Sequence, residues 1–210
     1  SGRFDLGEVG FYNPAAWGFH TGPIVSVGAT AIAPKMAHTD EDGTRVSAET
    51  PISLPPHLYA AYGFGPVSVG LSAGVPFGSS LSWPTDESWA GRFEITSIAM
   101  KTYEVSLALA AKPFSQLSIA AGPRLLRSTV LLQRNVDAVD SEGNVTVGGD
   151  ASAWGAHASI AYRPVPNVGI GVSYRSRAKI TYLGTADFQD IPVELQQKAH
   201  DGPVKAVITM

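Results

Sequence analysis

Apolar and polar residues alternate with a period of two along most of this 210-residue chain, whereas the spacing of an amphipathic helix is hard to find. The clearest case is NVGIGVSYRSRAKITY, residues 167–182. Its even positions read Val168, Ile170, Val172, Tyr174, Ser176, Ala178, Ile180 and Tyr182, while Arg175, Arg177 and Lys179 stand on the odd side. The same alternation predicts strands over about 22–34, 56–64, 66–77, 92–111, 115–136 and 151–163, and an eighth opening at GPVKAVITM. In the third, Val67, Val69, Leu71, Ala73, Val75 and Phe77 oppose Ser68, Gly70, Ser72, Gly74 and Gly78. In the fourth, Ile95, Tyr103, Val105, Leu107 and Leu109 oppose Thr96, Thr102, Glu104 and Ser106. In the sixth, Trp154, Ala156, Ala158, Ile160 and Tyr162 oppose His157, Ser159 and Arg163.

The connections add a second regularity. Those after the second, fourth and sixth strands are tight (GFGP, AKPFSQ, RPVPN) and rich in turn residues. Those after the first, third, fifth and seventh are long and polar, such as GSSLSWPTDESWAG and NVDAVDSEGNVTVGGD. A transmembrane β-barrel has short turns at its periplasmic end and long loops outside. Aromatics also gather near the strand ends: Tyr62, Phe64, Phe114 and Tyr162 by the short turns, Trp83, Trp89, Phe93, Trp154 and Tyr182 by the long loops. Two such girdles suit the two interfaces of a bilayer. A soluble sandwich with one wet face gives the same alternation, but it has no reason to collect every long loop at one end. The fold class predicted is all-β, an antiparallel transmembrane barrel. The bare side of each strand then meets lipid and the polar side a wetted lumen.

Composition narrows the chemistry. Charged residues make up 16% of the chain, below the usual quarter. A net charge of −3 offers no electrostatic case for nucleic acid. No apolar run approaches the ~20 residues of a spanning helix. Cysteine is absent, which removes disulfides, thiolate metal sites and thiol nucleophiles. The histidines His20, His38, His57, His157 and His200 are dispersed, so no metal site is predicted. GFGPVSVG and GIGVS lack the spacing of a dinucleotide loop. DEDG and DSEGN lack the full calcium-loop pattern, and no nucleophile elbow is present. Neither an enzyme nor a cofactor is predicted. Within the third strand, Pro76 has no N–H for a ladder and Gly78 no side chain, so the wall is expected to open there; a plain strand end entering a loop is the alternative. Arg175, Arg177 and Lys179 read as a lumenal basic ladder, which either attracts a carboxylate or pairs with inward acids such as Glu94 and Glu104.

Three stretches together resemble one family. FYNPAAWGF is similar to the Asn-Pro-Ala element where the N-terminal hatch of the FadL/TodX outer-membrane transporters runs into the first strand. LSAGVPFGSSLSWPTDESWAGRF resembles that family's third strand and following loop, and VGIGVSYRSRAKITYLGTADF its Gly-x-x-Tyr-Arg-Ser strand. The resemblance implies a barrel of fourteen strands, about eight of them present, in the outer membrane of a Gram-negative-type bacterium. Residues 1–21 would be a remnant of the hatch and 22–210 a partial barrel, an interior segment of a longer protein. It implies passive uptake of hydrophobic molecules, long-chain fatty acids or hydrocarbons, with lateral exit into outer-membrane lipid at the kink in strand three. Asn13, Pro14 and Ala15 would belong to the hatch, with Pro76 and Gly78 at the kink. Arg134 would meet a ligand head group, and Phe77 is a further candidate substrate contact. A small structural or adhesive barrel without transport is the rival reading.

Overall fold

The computed structural model describes residues 9–85, 90–138, 141–165, 167–189 and 202–209. Residues 1–8 of the expected hatch remnant, Trp89 and the stretch 190–201 lie outside them. The strands are β1 (Gly22–Ala29), β2 (Ala37–Thr39), β3 (Arg45–Ser47), β4 (Pro56–Gly63), β5 (Val67–Ser82), β6 (Ile95–Phe114), β7 (Leu117–Ala138), β8 (Ser141–Val165), β9 (Val168–Arg175), β10 (Lys179–Gln189) and β11 (Gly202–Thr209). Nine of them form one antiparallel sheet in the order β1-β4-β5-β6-β7-β8-β10-β11, with β9 paired to β8 as well. The sheet is open, with β1 and β11 at its ends. The separate β2–β3 hairpin stands in the loop after β1; its tip is held by the Thr44 N–H, which donates to Asp42 at 2.9 Å and lowers that carboxyl's pKa.

One face of the sheet, the inner one, carries the N-terminal segment: a short helix at Val9–Tyr12 and a 3-10 helix at Pro14–Phe19. Its side chains are small or polar, including buried Ser68, Ser72, Ser106, Ser118, Ser128 and Ser159. Hydroxyls pair across it, Ser72 with Ser106 at 2.6 Å and Ser128 with both Thr102 and Tyr182 at 2.7 Å. The outer face is the reverse. Val27 is 77% exposed, Trp154 70% and Val172 67%. A soluble sandwich would bury that face, and a contiguous apolar surface of this extent marks a membrane contact. A crossing strand needs only about 9–11 residues, so β7 at 22 residues and β8 at 25 reach well past the bilayer.

That reach corrects one expectation. NVDAVDSEGNVTVGGD reads as a loop, yet Asn135 pairs with Asn144 and Ala138 with Ser141. Beyond the membrane both faces of a hairpin meet water, so strands form there without apolar alternation. The first strand is shorter than its pattern, ending at Ala29.

Two one-residue slips matter more, because each turns every later side chain to the other face. In β5, Gly74 faces Glu104 but Phe77 faces Thr102, so the strand bulges at Val75–Pro76. Phe77 leaves the lipid side, where strict alternation would put it, and joins the inner face. The second slip splits the predicted seventh strand. β9 pairs with β8 in the register His157–Arg175, and β10 resumes at Asp150–Leu183. Ser176, Arg177 and Ala178 lie in the break. Ala178, Ile180 and Tyr182 consequently pack inward with Leu126, Ala151 and Ala153.

The N-terminal segment seats in notches left by glycine. Trp17, 3% exposed, lies on Gly70 and against Gly10; a Cβ on Gly70 would stand 2.1 Å from its ring, and one on Gly10 1.8 Å. Tyr59 and Ala108 complete its surroundings, and the Ser68 hydroxyl donates to the Trp17 carbonyl at 3.0 Å. Gly70→Val should therefore unseat the segment at a cost of about 1–3 kcal/mol while leaving the strands paired. In the full-length protein, limited proteolysis should show faster cleavage within residues 9–19, with the heat-modified gel shift of the folded barrel retained.

Candidate functional site

Asn13 begins the site. Its Oδ1 accepts from the Ala15 N–H at 3.2 Å, capping the 3-10 helix that Pro14 opens. Its Nδ2 donates to the Ile160 carbonyl of β8 at 3.0 Å, over Gly171, where a Cβ would stand 2.3 Å from that nitrogen. The Ala15 N–H also donates to the Ser159 hydroxyl at 3.0 Å. A side chain that both caps its own helix and grips the wall explains why this triplet is Asn-Pro-Ala: a cap, a residue without an N–H to satisfy, and one small enough for the Ala110–Ala120–Ala161 floor.

The helix before it leads to the slip in β5. The β4–β5 ladder ends at Leu58–Ala73, so among the described residues β5 makes no ladder pairing on that edge from Gly74 onward until the single bridge Glu49–Ser82. A cavity of about 360 Å³ lies at this interruption. Its lining is mostly apolar and aromatic, with Phe11, Tyr12, Tyr59, Val75, Pro76 and Phe77 prominent. Besides the tyrosine hydroxyls, its polar members are Thr30, Arg175 and His57, the last stacked on Tyr59 at 5.4 Å.

Behind Arg175 lies a buried ionic group. The Glu104 carboxylate, 2% exposed, accepts from Arg124 at 2.6 Å and pairs with Arg175 at 3.4 Å. Arg175 also donates to the Phe11 carbonyl of the N-terminal helix, and its guanidinium stands 4.1 Å from the centre of the Phe11 ring. One carboxylate thus serves two guanidinium groups. A positive charge remains in excess at the cavity wall, where few polar groups screen it. His157 joins from β8 by donating from Nε2 to the Leu107 carbonyl at 2.7 Å. That carbonyl stands 1.9 Å from where a Cβ on Gly122 would be, so glycine is what admits it, and the next residue, Pro123, has no N–H to offer; His157 is the β8 partner of Gly122.

The sequence-predicted site residues divide accordingly. Asn13, Pro14, Ala15, Pro76, Phe77 and Arg175 gather around the N-terminal segment and the cavity. Gly78 lies just past the bulge, back in register with Lys101; the glycine at the interruption is Gly74. The basic ladder does not form. Arg175 points inward, but the break at Ser176–Ala178 reverses the alternation and leaves Arg177 and Lys179 exposed on the other face. Arg134 is level with Ile95 near the far end of β7, about 23 Å along the wall from Thr102 and Phe77. Its Nε donates to the Phe93 carbonyl at 2.9 Å, and it does not line the cavity. Sequence reasoning missed Phe11, Tyr59, Glu104 paired to Arg124, and the bridging His157. The juxtaposition of Gly122 with Pro123 in a central strand was the available signal for the last.

A family described as outer membrane protein transport protein (OMPP1/FadL/TodX) matches residues 5–201. No curated protein sequence matches the chain. Among solved structures it is similar to a FadL homologue of Pseudomonas aeruginosa, with a TM-score of 0.77 and 16% identity over 96% of this chain and 57% of that one. It is also similar to the toluene transporter TbuX of Ralstonia pickettii, with a TM-score of 0.72 and 16% identity over 100% and 60%. The P. putida toluene transporter TodX gives 0.64 and 14% over 94% and 56%. The chain therefore spans somewhat more than half the length of these proteins. At such identities the likeness is one of fold: an antiparallel barrel wall with the N-terminal segment inside it. With the family match running through nearly all of the sequence, the chain belongs to the OMPP1/FadL/TodX family of outer-membrane β-barrel proteins.

Proposed function

We propose that the chain forms part of a passive channel that takes hydrophobic small molecules across the outer membrane, and that cargo passes through the cavity beside the β5 bulge. The observation that carries this reading is the coincidence of an apolar cavity with the place where the β4–β5 ladder stops. A gap in a barrel wall exposes backbone groups at a cost of several kcal/mol each in hydrocarbon, so a gap lined for an apolar guest argues for use. We further propose long-chain fatty acids as the cargo. The apolar lining suits an acyl chain, and the excess positive charge at Arg175 suits its carboxylate. Two of the similar solved proteins are described as toluene transporters, which makes an aromatic hydrocarbon the comparison cargo. Asn13, Pro14 and Ala15 then act as the anchor of the gating segment, and Arg134 as an outer contact away from the cavity.

Locking β4 to β5 at the point where their ladder stops tests the path. A Cβ added at Gly74 would stand 3.9 Å from the His57 Cβ, within the ~3.5–4.5 Å span of a disulfide. The chain has 0 cysteines to compete. Full-length protein carrying His57→Cys and Gly74→Cys, expressed in a transporter-null strain, should lose uptake of labelled fatty acid when oxidised and regain it with dithiothreitol. Undiminished uptake by the oxidised pair sinks this path. For cargo, Arg175→Met disturbs the cavity for any guest but should lower fatty-acid uptake about tenfold more than it lowers toluene uptake, from the loss of a charged hydrogen bond. Arg175→Lys should recover part of the acid uptake. Equal loss of both cargoes would leave the channel but remove the carboxylate assignment.

A further inference from the structure

The outer face of the wall carries its charges on one side only. On the short-turn half the described outward residues are Val67, Val69, Leu109, Ile119, Ile160, Tyr162, Ile170 and their neighbours, with no ionisable group other than tyrosine. From the level of Tyr103 and Trp154 toward the long loops, Lys101, Arg127, Lys179 and Lys205 all point outward. Arg177 is exposed in the break between β9 and β10. Only Asp150 and Asp187 oppose these five among the described outward side chains, and Asp150 is engaged by Arg127 at 3.1 Å. Register places Lys101, Thr129, Asp150, Leu183 and Lys205 in one row across the sheet, so its two lysines stand about 19 Å apart along the wall. Lys101 lies 5.1 Å over the Tyr103 ring, at the boundary where apolar wall gives way to charge.

A lysine aimed at acyl chains is costly, whereas one at head-group depth reaches phosphate through its flexible stem. The second slip is what brings Lys179 and Arg177 here; strict alternation from Arg175 would have turned them into the lumen. We propose that this patch is a binding surface for a phosphorylated glycolipid of the outer leaflet, of the lipid A class, held by its phosphates. The long loops face outward in such barrels, so the cations meet the leaflet that carries those phosphates, whereas the described outward side chains of the short-turn half, at the inner leaflet, include no cation. Each basic group near an anionic surface contributes about a fivefold gain in binding. The inference stands apart from the cargo reading, because the patch lies on the opposite face of the wall from the cavity.

The test uses full-length protein purified in neutral detergent and delipidated. Bis-phosphorylated lipid A, the same lipid A with its phosphates removed, and phosphatidylethanolamine are titrated separately, and retained lipid is counted by native mass spectrometry. The phosphorylated form should bind at least tenfold more tightly than either of the others and weaken steeply between low and high salt. Combined Lys101→Gln, Lys179→Gln and Lys205→Gln should weaken it on the order of a hundredfold. The corresponding arginine replacements, and Lys35→Gln in the first long loop, should keep it. Equal retention of the dephosphorylated lipid, or binding indifferent to salt in the parent protein, overturns the proposal even if the triple variant folds poorly. Fatty-acid uptake by the triple variant should stay within twofold of the parent, which separates this site from the channel.

Discussion

Every backbone N–H and C=O in a wall that faces hydrocarbon has to find a partner within the protein. The structure can be followed from three places among the described residues where the ladder is interrupted. At Pro123 the missing donor is replaced by the His157 imidazole, which reaches across Gly122 to the Leu107 carbonyl. At the break between β9 and β10, Ser176 stands in for a pair of residues: its N–H donates to the Ala156 carbonyl and its hydroxyl accepts from the Ala156 N–H, both at 2.9 Å. At Val75–Pro76 the chain uses the residue that has no donor and leaves a cavity alongside. Two of these interruptions are sealed by a side chain. The third is open to the inner face, and there the aromatic helix residues Phe11 and Tyr12 come to lie.

The charges follow from the same constraint. A carboxylate as deeply buried as Glu104 is tolerable only when paired, and removing either partner of such a group costs several kcal/mol. Arg124 binds it from the neighbouring strand and Arg175 from farther round the wall. Because Arg175 also holds the Phe11 carbonyl, the group that neutralises the wall is also the group that holds the N-terminal helix against it. Cavity, ion group and N-terminal segment are therefore one mechanical unit, and a guest that competes for Arg175 acts on all three.

Much of the wall was legible because period-two alternation and alternating loop lengths report the same thing independently. Val67 to Ala73, Trp154 to Tyr162 and Val168 to Tyr174 face lipid as their spacing requires. What alternation cannot carry is its own phase beyond a bulge. Phe77 lies four positions past Ala73 and should share its face; Lys179 lies four past Arg175 and should share its face. Both are reversed by one extra residue. Pro76 announced the first slip. The second has no proline, and Ser176-Arg177-Ala178 looks like ordinary strand. Glu104 and Arg124 are far apart in sequence and meet only through the β6–β7 register, so their pairing had no local signature. Arg134 shows the converse: its position was suggested by resemblance alone, and the Nε donation to the Phe93 carbonyl that fixes it there had no signature in the sequence.

The contacts that seat the N-terminal segment also fix when it can arrive. Asn13 grips Ile160 across 147 residues and Arg175 grips Phe11 across 164. Neither partner exists as a surface until β8 and β9 have been added to the wall. Residues 9–19 are thus held only after strands that follow them by well over a hundred positions are in place. Until β8 and β9 stand in the wall the segment lacks both of these anchors, and it is joined to the sheet only through β1 and whatever β4 to β7 offer.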